Sequence, residues 1–155
     1  MTSEQIKANR EMRVFLEFIR KSEIEIDGAP EGRPPPEPDI LCKHRGRGFC
    51  AFELVELCDQ EIAHTTAKLI DSGGGMAFMC NEDPSAKLVR SKIEKKYQTN
   101  HPIELLCYTG GRLVTPDDVI IPTIREIIEA HGFGQFRRIW LLGEEVCEVV
   151  SERPI

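Results

Sequence analysis

The chain has 155 residues, 41% hydrophobic and 30% charged, with a formal net charge of −6. That length fits one domain and leaves no room for a second of ordinary size. No apolar run reaches the ~18 residues of a membrane span, and the acid excess argues against general nucleic-acid coating but not against a local basic groove.

The first residues, Met1 to Lys7, are polar and lack a signal-peptide apolar core, so a cytoplasmic location is expected. Residues 3–22 are predicted to form a helix. Ala8, Met12, Phe15 and Ile19 make one stripe at helical spacing, edged by Leu16 and Phe18. Glu11 falls beside this stripe, where a carboxylate is less expected than on the wet face; Glu17 points away from it. Residues 27–38 hold Gly28, Pro30, Gly32, Pro34, Pro35, Pro36 and Pro38, and read as an extended connector of polyproline character.

Two strands are predicted next, at 39–43 and 49–57, turning at His44, Arg45, Gly46 and Arg47. A helix over 59–71 places Ile62, Thr66, Leu69 and Ile70 on one face and stops at Gly73, Gly74 and Gly75. Residues 76–80 read as a buried strand. Asp83 before Pro84 starts a helix that runs to about Tyr97. Residues 103–108 are apolar enough for a central strand. Thr115, Pro116, Asp117 and Asp118 start a further helix, which ends at His131 before Gly132. Residues 136–142 and 146–150 form a terminal hairpin. Strands alternating with helices predict an α/β fold, a mixed sheet covered by helices.

Cys42, Cys50, Cys58, Cys80, Cys107 and Cys147 show neither C-x-x-C nor zinc-ligand spacing, and read as buried free thiols. His44, His64, His101 and His131 show no metal-ligand spacing either.

The chemistry concentrates in the first strand pair, which carries one acid on each strand, Asp39 and Glu53. On the first strand Asp39, Leu41 and Lys43 share a face; on the second, Glu53, Val55 and Leu57 share one. With Lys43 paired near Gly48, Asp39 falls close to Phe52 and Glu53, and a one-residue bulge sets the acids opposite each other. Two ionised carboxylates there are costly unless a cation or a donor compensates them. They can hold a hard divalent cation through oxygen, or only repel each other.

This layout resembles the PD-(D/E)XK nuclease superfamily, whose core is a helix, a strand hairpin, a helix and a further strand. Pro38-Asp39 matches the PD element and Glu53-Leu54-Val55 the E-x-K element, with thirteen residues between the acids. Glu11 matches the glutamate that many members carry on the first helix. The likeness is strongest to an uncharacterised subset whose second strand reads Glu-Val-Thr-Glu, here Glu53-Leu54-Val55-Glu56. Ile139-Trp140-Leu141 matches the opening of their final hairpin.

The resemblance implies a restriction-endonuclease-like fold and metal-assisted phosphodiester hydrolysis with magnesium or manganese. It implies Asp39, Glu53 and the Leu54 carbonyl as ligands, and Glu11 as the holder of a second metal or its water. DNA or RNA is the implied substrate, and a homodimer is an assembly many members form. The family's lysine position falls on Val55, which cannot orient water or stabilise a pentacovalent phosphate. Lys43 is the first substitute, with Gln60 and Lys68 behind it. Lys87, Arg90, Lys92, Lys95 and Lys96 crowd one predicted helix, as phosphate contacts or as a solvated face. The missing lysine, the acid excess and the small size keep a second reading open: a non-catalytic binding or interaction protein on the same fold.

Overall fold

A computed structural model of the chain describes residues 2–57, 85–109 and 116–151. The predicted helix at 59–71, with Gln60 and Lys68, and the predicted strand at 76–80 lie outside the described residues. Among those described, the fold is α/β, with three helices and one six-stranded mixed sheet. None of these helices is long and apolar enough to cross a membrane.

Helix α1 spans Ser3–Ser22, as its apolar stripe predicts. Thr2 starts it with a capping box: its hydroxyl accepts from the Gln5 N–H, and the Gln5 amide oxygen accepts from the Thr2 N–H. Strand β1 spans Ile26–Gly32 and pairs antiparallel with β2, Ile40–His44. The expected connector at 27–38 is therefore corrected in its first half. Pro30 fits there because β1 is an edge strand whose register breaks between Asp27 and Glu31, so its missing N–H interrupts no continuous ladder.

Strand β3 spans Gly48–Glu56 and pairs antiparallel with β2. Helix α2, Ser85–Glu94, precedes β4, Ile103–Tyr108, which lies parallel to β3. Helix α3, Asp117–His131, crosses over to β5, Phe136–Leu142, which lies parallel to β4. Strand β6, Val146–Ser151, closes the terminal hairpin and the sheet order β1 to β6.

Side chains leave β3 on alternate faces and feed two cores. Val55 and Leu57 pack with Leu105 and Ile139 beneath Val89 and Ile93 of α2 and Ile120 and Ile124 of α3. Phe52 and Leu54 pack with Leu106 and Trp140 beneath Phe15 and Phe18 of α1. Ring centroids 5.0 Å apart for Phe15 and Phe52, and 5.2 Å for Phe18 and Trp140, seat α1 on that face.

Close approach between α2 and the turn before β5 depends on Gly134, whose φ is +60°. A Cβ there would lie 2.5 Å from the Ile93 carbonyl oxygen. Gly134→Ala is therefore expected to cost about 1–3 kcal/mol, read as a lower urea midpoint. An unchanged midpoint would contradict the contact.

Candidate functional site

The β2–β3 register decides where the two hairpin acids meet. Lys43 pairs with Phe49 and Ile40 with Phe52. One step further along, Asp39 falls opposite Glu53 with no bulge, because the turn is one residue shorter than expected. The two acids are laced together reciprocally. The Asp39 N–H donates to Glu53 Oε1 at 3.2 Å, and the Leu54 N–H donates to Asp39 Oδ2 at 2.9 Å. In an extended strand a residue's N–H and C=O leave on the same edge, so the Leu54 carbonyl also lies toward Asp39.

Glu53 is 2% exposed and lies on the α2 face of the sheet with Val55 and Leu57. Lys92 Nζ stands 2.9 Å from its Oε2, and Lys95 Nζ stands 3.9 Å from the same oxygen. Burial of Val89 and Ile93 fixes α2 on the sheet and brings Lys92 over the acid. Tyr97 is buried beside Glu53; burial first, then the Glu53 charge, pushes its phenol up. Gln135 fixes Tyr97 by accepting from its N–H at 2.7 Å and donating to its carbonyl at 3.2 Å.

Glu11 supplies the third acid. It sits one helical turn before the fully buried Phe15 and is itself 6% exposed. Its Oε1 lies 3.6 Å from Lys7 Nζ, while its Oε2 is buried with no hydrogen-bond partner. The neighbouring group is the carboxyl of Asp39. Burial, and then the Glu11 carboxylate, raise the Asp39 pKa to about 6. Glu53 is raised too, by burial and then by the Asp39 charge, against the pull of Lys92. Glu11, Asp39 and Glu53 thus form a row of carboxyl groups, flanked by Lys7 at Glu11 and by Lys92 and Lys95 at Glu53; a proton shared by Asp39 and Glu53, or a bound cation, would relieve the repulsion at its centre.

The partnerless Glu11 Oε2 is a buried oxygen that a donor, such as the water of a hard cation, would satisfy. Among the described residues, no three His, Cys, Asp or Glu side chains enclose a metal position by themselves. A partly hydrated ion such as magnesium, which keeps several waters and needs only one or two carboxylates, would ask less of the site than such an enclosure.

The proton alternative has a testable consequence. A group whose pKa is raised on folding gives its stability below its unfolded pKa and loses it as pH rises through the folded value. With divalent ions removed, Asp39→Asn should raise the melting temperature at pH 8 by several degrees. The gain should shrink as pH falls through about 6, the folded value, and be gone only below about pH 4, near the unfolded value, where Asp39 is protonated in both states. A variant equally destabilised at both pH values would show that the acids do not oppose one another.

Lys43, expected to replace the motif lysine, is not brought to the acids. It is exposed and pairs with Phe49, four residues along β3 from Glu53, or about 13 Å at ~3.3 Å per residue. Lys92 is the cation that arrives instead. Its only signal in the sequence was membership of a basic run.

Sequence reading also missed Glu104, on β4 and 2% exposed. Trp140 Nε1 donates to its Oε1 at 2.7 Å. Arg137 donates to its Oε2 through Nε at 3.2 Å and a terminal nitrogen at 2.9 Å, and the Cys50 thiol lies 3.1 Å away. Burial alone would raise its pKa, but the donors from Trp140, Cys50 and Arg137 hold it below the usual value. Both oxygens are satisfied, so this acid ties β3, β4 and β5 together. A lone acid within the apolar run 103–108 was its signal.

A cleft of about 690 Å³ opens beside Glu11 and Asp39, walled by the first part of α1 and by the loop from Gly32 to Pro35. Comparison of the chain with protein-family models, curated proteins and solved structures finds no match.

Proposed function

We propose that this chain is a metal-dependent phosphodiesterase of PD-(D/E)XK type in which Lys92 replaces the lysine missing at Val55. The observation that carries the reading is the convergence of Asp39 and Glu53 with a lysine 2.9 Å from Glu53. The order α1, β1, hairpin, α2, β4 among the described residues supports the reading, as does Glu11 on α1 beside Asp39.

Asp39 and Glu53 would hold magnesium or manganese with help from the Leu54 carbonyl, and Glu11 would bind the ion's outer water. Such an ion, when bound, offsets phosphate charge and lowers the pKa of its water. Lys92 directs an ammonium at the acids and orients the attacking water or the phosphate oxygen. Tyr97 keeps the Glu53 carboxyl in place from the α2 side. The Phe15 and Phe52 packing fixes α1, and with it Glu11, against the sheet.

One observation favours the second reading, a non-catalytic scaffold. Lys92 and Lys95 already place two cations on Glu53 Oε2, so the buried acid has counter-charge without a metal.

Cleavage of single-stranded and duplex DNA and RNA in manganese separates the two. The phosphodiesterase reading expects cleavage that chelation stops and Glu53→Ala abolishes. Cleavage that survives in a folded Glu53→Ala protein, or none with any of these substrates, sides with the scaffold.

A further inference from the structure

We infer that the cleft beside Glu11 and Asp39 is a binding site for a linear aliphatic diamine, with one ammonium between those two carboxyls and the other at Glu4. The inference goes beyond the phosphodiesterase reading and does not depend on it; the ammonium and a metal ion would compete for Asp39. Charge decides the sign of the ligand. Glu4, Glu11 and Asp39 line the cleft together with Lys7 and Arg33. Arg33 is committed to Glu31 at 2.7 Å and to Glu37 at 3.0 Å, neither of which lines the cleft. Lys7 stands 3.6 Å from Glu11 Oε1. An anion entering here finds both lining cations already paired. A cation finds Glu4, Asp39 and the partnerless Glu11 Oε2.

The orphan oxygen points to a donor. Glu11 is 6% exposed, and a carboxylate oxygen buried without a donor is costly. The terminal torsion of a glutamate is soft, so a donor in the cleft can meet it. The acceptors suit an ammonium in particular. Asp39 Oδ2 already accepts from the Leu54 N–H at 2.9 Å, and Glu11 Oε1 faces Lys7. What is left is one oxygen on each of two neighbouring carboxyls. A guanidinium fork asks for both oxygens of one carboxylate. A quaternary ammonium asks for aromatic faces, and no described residue lining the cleft is aromatic. A primary ammonium is a compact charge with three N–H donors, which it can divide between the two acids.

Walls and length extend the ligand to a diamine. Ala8 and Met12 line one side, and Pro34, Pro35 and Ile40 line the other. A bare ion gains nothing from such walls, whereas methylene groups are taken out of water by them. Glu4 and Glu11 lie two turns apart along one face of α1, a rise of about 10 Å at 1.5 Å per residue, with Ala8 between them. A short methylene chain with an ammonium at each end bridges that span across Ala8. The cleft volume of about 690 Å³ suits such a molecule, since small-ligand sites measure about 300–1,000 Å³. The proline wall is tied to the acid it flanks, because the Arg33 N–H donates to the Asp39 carbonyl at 2.8 Å.

The test is calorimetric titration of cadaverine into chelator-stripped protein at physiological salt. Saturable binding is expected, and Glu11→Gln should weaken it by about tenfold or more, the cost of one charged hydrogen bond. Lys7→Met changes only an exposed side chain and removes a competing ammonium, so it should tighten binding. Glu4→Gln should weaken cadaverine several-fold but leave n-pentylamine, which lacks the second ammonium, within about twofold. Glu129→Gln, the same charge change on an exposed residue of α3, is the control and should do little. No saturable heat overturns the inference. So does equal weakening by Glu11→Gln and Glu129→Gln, which would mark general attraction of a dication to an acidic protein. Weaker binding in Lys7→Met, or equal losses of both amines in Glu4→Gln, overturns it as well. A parallel manganese cleavage assay separates the two levels. Diamine binding without cleavage leaves the cleft standing and sinks the chemistry. Cleavage without diamine binding does the reverse.

Discussion

Lys92→Met is expected to lower manganese-dependent cleavage by about 10²–10³-fold, the usual cost of losing one preorganised charge-stabilising donor. Metal affinity should stay the same or rise, because the ammonium leaves Glu53 Oε2 free. Methionine keeps most of the aliphatic stem and removes only the charge, so folding is best preserved by this change. Lys95→Met is the matched control. Its ammonium is 3.9 Å from the same oxygen and its side chain is 49% exposed, so its loss should cost far less. Equal losses in the two variants would mean that the helix acts as a diffuse basic face. Full activity in Lys92→Met would remove Lys92 from the mechanism.

The largest expected effect on stability lies away from the candidate site. Glu104→Ala leaves the Arg137 guanidinium and the Trp140 indole N–H without their buried acceptor. Breaking a buried pair from one side costs about 3–5 kcal/mol. Glu104→Gln keeps an acceptor for Trp140 and should fall between the variant and the natural protein. The pH dependence follows from the lowered pKa of Glu104. A carboxylate depressed on folding gives its stability above its unfolded pKa and loses it as pH falls through the folded value. The difference between the natural protein and Glu104→Gln in urea should therefore be full at neutral pH and shrink below about pH 4. Metal binding should be unchanged. A near-neutral Glu104→Ala would show that Arg137 finds water and that the cluster adds little.

These two residues show what a linear reading reaches. Periodic and punctuated segments were legible: α1, β4 and α3 fall where the apolar stripe, the apolar run and the Pro-Asp-Asp start put them. Strand β1 was not, because its proline and glycines carry no strand signal and only its pairing with β2 makes it one. The hairpin acids were visible as a pair, but their register was read one residue out. Its three-residue turn, Arg45 to Arg47, uses left-handed Gly46 and is followed by left-handed Gly48, and the strand pattern alone does not set that length. Glu11 betrayed itself by sitting beside an apolar stripe. Its meeting with Asp39 depends on how α1 crosses the sheet. Lys92 lies 39 residues beyond Glu53, and no spacing rule links a strand acid to a helix lysine at that separation. Lys43 attracted attention because it shares a strand face with Asp39. A shared face still leaves four residues of strand between them.

The central claim is that Asp39 and Glu53 share one cation whose water meets Glu11, and calorimetric titration of manganese into chelator-stripped protein tests it most directly. Saturable binding is expected, absent in Asp39→Asn and retained in Lys92→Met. No saturable heat in the natural protein, together with a stabilised Asp39→Asn, would contradict it and leave Asp39 and Glu53 as a proton-sharing pair.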